Sequence, residues 1–461
     1  MTTSNGPRRA RRLRSLHAVE VLVAPHVLLE GRLVSDGWVL LAGGRIAEVG
    51  VGTPPAAPTR HLDEGVLAPG LVDAQINGAF GFDLVNADDA AWSRIRAELP
   101  RTGVTAFVPT FITAPVPVLT AALQRAQARA GVPDRGAAVG GVARAGEVSG
   151  AGGVAPAGEV SGAGGVARAG GVAGQAASGS RAGARPQAPA PGARVLGLHV
   201  EGPFLAASRR GAHNPVHLTD PSREAVTALL DAGGDALLYV TLAPERDGAL
   251  DAIRQLTAAG VRVAIGHSDA DDAQAIAAVD AGASLVTHLY NAQRPLGHRD
   301  PGVVGVALSD PRLTCGLIVD LEHVAPTAVR LAFAAAEGRI MLVSDAIAAL
   351  GMPPGTYALG GQPTEVRIGA APVRADGTLA GSALRLDEAV ANTIACGIDP
   401  AVALTAATRV PADALGAPDL GRLAAGAAAD LVWLDERWST RATWVAGDVV
   451  AGAEHLPPVT P

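Results

Sequence analysis

Val195-Leu196-Gly197-Leu198-His199-Val200-Glu201-Gly202-Pro203-Phe204 decides how the rest of the chain is read. An apolar run with one imidazole in it leads to a carboxylate, and a Gly-Pro pair follows at once. Val195 to Val200 reads as a short, buried strand of the parallel type. Gly202-Pro203 forces a turn directly after Glu201. A carboxylate at the carboxyl end of such a strand would stand at the mouth of a sheet or barrel, where loops build active sites. A Glu there is also a common cap or ion-pair partner, so the neighbouring strands decide its meaning.

Working outward, short apolar runs recur at Leu71 to Ile76, Val104 to Val108, Ala236 to Leu242, Val261 to Ile265, Ser284 to Thr287, Thr314 to Val319 and Ile340 to Val343. Ala-rich segments with helical spacing lie between most of them: Val116 to Ala130, Ser222 to Asp231, Leu250 to Ala259, Ala270 to Ala281 and Ala325 to Glu337. Eight strand–helix units predict an α/β fold of the (β/α)8, TIM-barrel type. Before the barrel, Val19 to Val23, Val27 to Val34, Trp38 to Leu41 and Arg45 to Val49 read as short glycine-punctuated strands. After it, Asp430 to Leu434, Ala442 to Val445 and Asp448 to Val450 read the same way. The two ends are expected to build one small β-sandwich domain from 17–66 and 419–461, around a barrel at 67–418.

Two stretches fall outside that scheme. Residues 1–16 form a basic tail without the apolar core of a leader, so it reads as disordered and the protein as cytoplasmic. Residues 134–192 are rich in Gly, Ala and Pro and carry a twelve-residue repeat, Gly140 to Ala151 and again Gly152 to Ala163. With only Val to bury, such repeats cannot offset the ordering of so many glycines, and a disordered insert is expected. The net charge of −7 argues against a nucleic-acid surface. No apolar run is long enough for a membrane span. Cys315 and Cys396 sit in apolar surroundings and read as reduced core residues.

The strand ends carry Gln75 and Asn77, Thr110, Glu201, Thr241 and Glu245, His267, His288, Asp320 and His323, and Asp345. Singly, each is ordinary strand-end polarity. Together, Glu201, His267 and His288 form a Glu-His-His set on three strands of one barrel, a known ligand set for catalytic zinc that leaves a position open for water. One divalent ion per chain is expected, zinc first, with iron, manganese or cobalt as alternatives. Such an ion activates water and polarises a carbonyl. Asp345 is placed as the general base, and it could return the proton to a leaving amine.

These residues sit in stretches that resemble the N-acetylglucosamine-6-phosphate deacetylase family of the amidohydrolase superfamily. The matching stretches are Pro69 to Gly78, Gly197 to Phe204, Gly211 to Pro215, Thr241 to Glu245, Gly266 to Ser268, Thr287 to Ala292, Val343 to Ala346, Leu379 to Ser382 and Leu420 to Leu431. The resemblance implies catalytic roles for Asp345 and His213, with His213 polarising an acetyl carbonyl. It implies phosphate contacts from Asn291, Ala292, Arg299 and His323, and a sugar site lined by Ala212, Leu379, Ala380 and Gly381. It further implies a small amino-sugar phosphate as substrate and a homodimer whose interface crosses part of the phosphate site. The same chemistry on N-acetylgalactosamine 6-phosphate is the runner-up. Hydrolysis of other N-acyl or cyclic amides commonly needs a bridging lysine, and this chain has no Lys at all. A non-catalytic sugar-phosphate sensor is disfavoured by the intact set of Glu201, His267, His288 and Asp345.

Two departures from the resemblance stand out. Many amidohydrolases carry His-x-His on the first strand, whereas this chain has Gln75-x-Asn77. Neutral amides are weak zinc ligands, which favours one metal. The family's usual Asp-Gly-x-His after the seventh strand is here Asp320-Leu321-Glu322-His323. Its bulk and charge bear on phosphate binding, and Glu322 is expected to face away from its neighbour His323.

Overall fold

The computed structural model describes residues 19–127, 129, 192–366 and 371–460, with side chains omitted at 362–366. The expected tail at 1–16 and nearly all of the expected insert at 134–192 lie outside the described residues.

The barrel strands follow in chain order: Leu71–Ile76, Val104–Ile112, Leu198–Glu201, Leu237–Leu242, Arg262–Ile265, Leu285–Val286, Thr314–Leu317 and Ile340–Leu342. Each is hydrogen-bonded in parallel to the next. All nine residues of Val104–Ile112 are buried, as they must be in a strand covered on both faces. Helices cover the barrel and begin where the sequence supplies caps. Ser222 caps Arg223–Gly233, and Asp271 with Gln274 forms a capping box on Asp272–Ala281. Asp272–Ala281 buries Ala275, Ala278 and Val279, the i, i+3, i+4 stripe of a helix laid on a sheet.

The ring closes without a full ladder. Between the first strand and the last there is a single bridge, Ile76 to Ala346, and the Asp345 N–H donates to the Gln75 carbonyl at 3.0 Å. A buried side chain completes the seam. Asp73 accepts from the Ser344 hydroxyl at 2.5 Å, from the Ser344 N–H at 3.1 Å and from the Gln75 N–H at 3.3 Å.

Strands from both ends of the chain form one further sheet of eight strands, with Leu431–Leu434 joining Val66–Pro69 to Thr440–Val445. It has its own core, in which Trp433, Trp444, Leu22, Val39 and Ile46 are buried. Two local expectations differ from the structure. Val19 to Val23 and the start of Val27 to Val34 are one strand, not two: Glu20–Leu29 runs through Pro25, which falls at the one position the ladder to Arg32–Ala42 skips. Val195 to Val200 is not one strand but two, Arg194–Val195 and Leu198–Glu201. The break lies at Gly197, whose φ of +155° turns the chain aside close to Leu238.

Candidate active site

A cavity of about 330 Å³ is lined by the carboxyl ends of the barrel strands and the loops that follow them. Glu201 ends the third strand, and His267 and His288 each stand two residues beyond a strand. All three are buried, and their ligand atoms lie within 4.8 Å of one another. His267 Nε2 is 2.9 Å and His288 Nε2 3.0 Å from Glu201 Oε1, and the two imidazole nitrogens are 3.1 Å apart.

Hydrogen bonding shows what this cluster suits. His267 Nδ1 lies 2.9 Å from the Arg209 carbonyl, which can only accept, so Nδ1 carries the proton. Burial, reinforced by the neighbouring His213, pushes His267 down to about 4 and keeps it neutral. Its Nε2 lone pair therefore faces a carboxylate oxygen and a second imidazole nitrogen. The lone pairs of His267 Nε2 and Glu201 Oε1, facing each other at 2.9 Å, repel unless a cation lies between them, and the carbonyl behind His267 is the usual orienting partner of a ligating histidine. The residues fit a bound divalent ion.

Asp345 stands beside this group. Its Oδ1 accepts from Asn77 Nδ2 at 2.7 Å and from Gln75 Nε2 at 3.0 Å. The same Gln75 nitrogen donates to Glu201 Oε2 at 3.1 Å. One amide therefore ties the candidate base to a candidate ligand, where a second metal would otherwise bridge two carboxylates. Burial first, and then the charge of Glu201, push the Asp345 carboxyl up to about 7. His213 completes the group, with Nε2 3.8 Å from Glu201 Oε1 and its ring set edgewise on His267 at 4.3 Å.

Backbone geometry aims these side chains. His267 (φ +49°), His288 (φ +27°) and Asp345 (φ +48°) all adopt the left-handed region, which is uncommon for residues other than glycine and clusters at functional sites. Ala292 (φ +52°) and Leu321 (φ +68°) do so as well.

The cavity also gathers Ala212, Asn291, Ala292, His323, Leu379 and Gly381 from the expected site. His323 is oriented by Asp320, whose Oδ2 is 2.6 Å from Nδ1. Glu322 is exposed, and its N–H donates to Asp320 Oδ1. Two expected residues lie elsewhere. Arg299 is exposed on the loop beyond Gln293 and does not line this cavity. Ala380 is fully buried in a small cluster with Ile112 and Ile347, behind the wall that Leu379 and Gly381 form. Thr110 and Thr241 do not line it either; they hold the buried His199 from both sides at 3.1 and 2.8 Å. Burial pushes that imidazole down to about 3, so it is a neutral core group, stacked on Tyr239 at 3.7 Å.

Sequence reasoning did not single out Arg209 and Thr113. Arg209 lines the cavity, with its guanidinium paired to Asp269 at 2.7 Å. Its one sequence signal is its place just before Gly211-Ala212-His213. Thr113 follows the second strand and touches His213.

The chain matches the amidohydrolase family over residues 66–452. It is 36% identical to N-acetylglucosamine-6-phosphate deacetylase of Homo sapiens, over 93% of this chain and 94% of that one. It is 33% identical to N-acetylgalactosamine-6-phosphate deacetylase of Escherichia coli O157:H7, over 92% of this chain and 99% of that one. The crystal structure of N-acetyl-D-glucosamine-6-phosphate deacetylase from Mycobacterium smegmatis superposes with a TM-score of 0.77 at 33% identity, covering 94% of this chain and all of that one. A parallel eight-stranded barrel, a buried Glu-His-His cluster at its carboxyl end and a match spanning most of the sequence lead to one assignment: the chain belongs to the amidohydrolase family.

Proposed function

We propose that this chain is a metal-dependent deacetylase that hydrolyses N-acetylglucosamine 6-phosphate to glucosamine 6-phosphate and acetate. The observation that carries the reading is the convergence of Glu201, His267 and His288 with His213 and Asp345 on one cavity. A divalent ion held by the first three, zinc being best suited to that set, would supply Lewis acidity and an activated water.

The residues of the chain supply the remainder. His213 directs its Nε2 edge into the cavity and donates to the acetyl oxygen, where negative charge develops as water adds to the carbonyl carbon. Asp345, pushed up to about 7, accepts the proton of the attacking water and delivers it to the amide nitrogen as the C–N bond breaks. Gln75 and Asn77 hold the Asp345 carboxylate in place through its Oδ1 throughout. Asn291, the Ala292 backbone and His323 meet the phosphate, and Arg209, paired to Asp269, lines the same cavity. Arg299 serves the cavity of a partner subunit in a homodimer, which accounts for its exposed position here. The enzyme works in the cytoplasm. Among the described residues no helix is long and apolar enough to cross a membrane.

The galacto epimer is a second reading, favoured by the similarity to the Escherichia coli protein. Acetate release from N-acetylglucosamine and N-acetylgalactosamine, each with and without 6-phosphate and with added divalent metals, tests both readings. Turnover of the gluco phosphate above all others is expected. Equal kcat/KM with and without phosphate would refute the substrate class.

A further inference from the structure

We infer that Thr113 is a positioning residue that fixes the tautomer of His213, leaving Nδ1 bare and placing the proton on Nε2, toward the substrate. The inference rests on the deacetylase reading of the cavity. Thr113 lies just past the second barrel strand and is 5% exposed. Its hydroxyl is 2.7 Å from His213 Nδ1, and its own backbone N–H is 3.4 Å from the same nitrogen. A hydroxyl can donate or accept, but a backbone N–H only donates. A proton on Nδ1 would point at that N–H, whereas a lone pair there is met by two donors. The hydroxyl has one alternative acceptor, the Glu201 carbonyl, but it is farther off, at 3.3 Å. The shorter contact directs its hydrogen to Nδ1.

With Nδ1 accepting, the imidazole proton sits on Nε2, the nitrogen that faces the cavity near Glu201 Oε1. That is the form needed to donate to a carbonyl oxygen as it becomes an oxyanion. The opposite tautomer would present a lone pair to that oxygen and repel it. No proton moves through Thr113: it accepts none and releases none during the reaction. Its place is reserved by the backbone beside it. A Cβ on Gly202 (φ +85°) would come within 2.2 Å of the Thr113 hydroxyl, so the residue after the ligand Glu201 must be one without a side chain.

The test uses the zinc-loaded full chain and the variants Thr113→Val and Thr113→Ser. Imidazole nitrogen shifts, with the His213 signals assigned by their loss in His213→Gln, read the tautomer without substrate. In the parent, Nδ1 is expected at the position of a bare nitrogen and Nε2 at that of a protonated one. Thr113→Val should mix the two forms and lower kcat on N-acetylglucosamine 6-phosphate by about 10-fold or more, with KM changed less than about 3-fold. Thr113→Ser should restore both readouts. A protonated Nδ1 in the parent, parental kcat and shifts in the valine variant, or a serine variant as impaired as the valine one would each overturn the inference. A parent inactive on every amino-sugar phosphate would refute the substrate reading instead, and the nitrogen shifts would still decide the tautomer.

Discussion

Asp73 offers the sharpest test of how this barrel is closed. It is 1% exposed and accepts three hydrogen bonds, two of them from Ser344 across the seam between the first and last strands and one from Gln75 on its own strand. Asp73→Ala strands the Ser344 N–H and the Gln75 N–H, each an unsatisfied buried group costing about 1–3 kcal/mol, and leaves the Ser344 hydroxyl only the more distant Gln75 carbonyl at 3.3 Å. Removing the buried carboxylate returns part of that, so the expected net loss is about 3 kcal/mol. Activity should fall as well, because the seam positions Gln75 and Asp345. Asp73→Asn behaves differently. Burial pushes the Asp73 carboxyl up to about 6, against its hydrogen bonds from Ser344 and Gln75. A carboxyl raised on folding binds its proton more tightly in the native state. Parental stability should therefore fall as pH rises from about 4 to about 6 and stay level above. At about 1.4 kcal/mol per pKa unit, the rise amounts to roughly 3 kcal/mol at most. Asparagine mimics the protonated acid and escapes that loss. It should match the parent near pH 4 and exceed it by about 1–3 kcal/mol at pH 8. Chemical denaturation at both pH values measures this. An alanine variant as stable as the parent, or an asparagine variant markedly weaker than the parent at pH 8, would refute the reasoning.

Elemental analysis of protein purified without chelator should find one divalent ion per chain, because Gln75 already occupies the space between Glu201 and Asp345; two tightly held ions would contradict this. Asp345→Asn keeps the shape but cannot accept a proton. It should lower kcat by at least about 10²-fold with metal content retained, and parental turnover would rule out Asp345 as the base. Glu322 is exposed, so Glu322→Gln should change kcat/KM on the phosphorylated sugar by less than about 2-fold, consistent with the small effect of solvated charges. A rise of tenfold would show its charge acting on the phosphate.

The eight barrel strands were legible because each is a short apolar run bounded by polar or glycine residues, and the candidate ligands because they come at the end of those strands or two residues past it. The strand break at Gly197 was hidden because Val195, Leu196 and Leu198 keep the apolar pattern across it. Pro25 misled in the other direction, since a skipped pair in a ladder leaves no mark in composition. Arg299 and Ala380 were placed by motif position alone, and motif position does not say which side of a loop faces a cavity. Thr113 was illegible for a different reason. A threonine after a strand is ordinary background until a histidine from a hundred residues away is seen against it.

The left-handed backbone at His267, His288 and Asp345 bears on how such an enzyme could be lost. Each conformation costs a residue with a side chain about 1 kcal/mol or more, and asparagine and glycine bear it better. Exchanging His267 or His288 for either would relieve backbone strain and remove a candidate metal ligand. Loss of the cluster at these positions therefore meets no barrier from the backbone; what opposes it is the buried contacts of the side chains themselves.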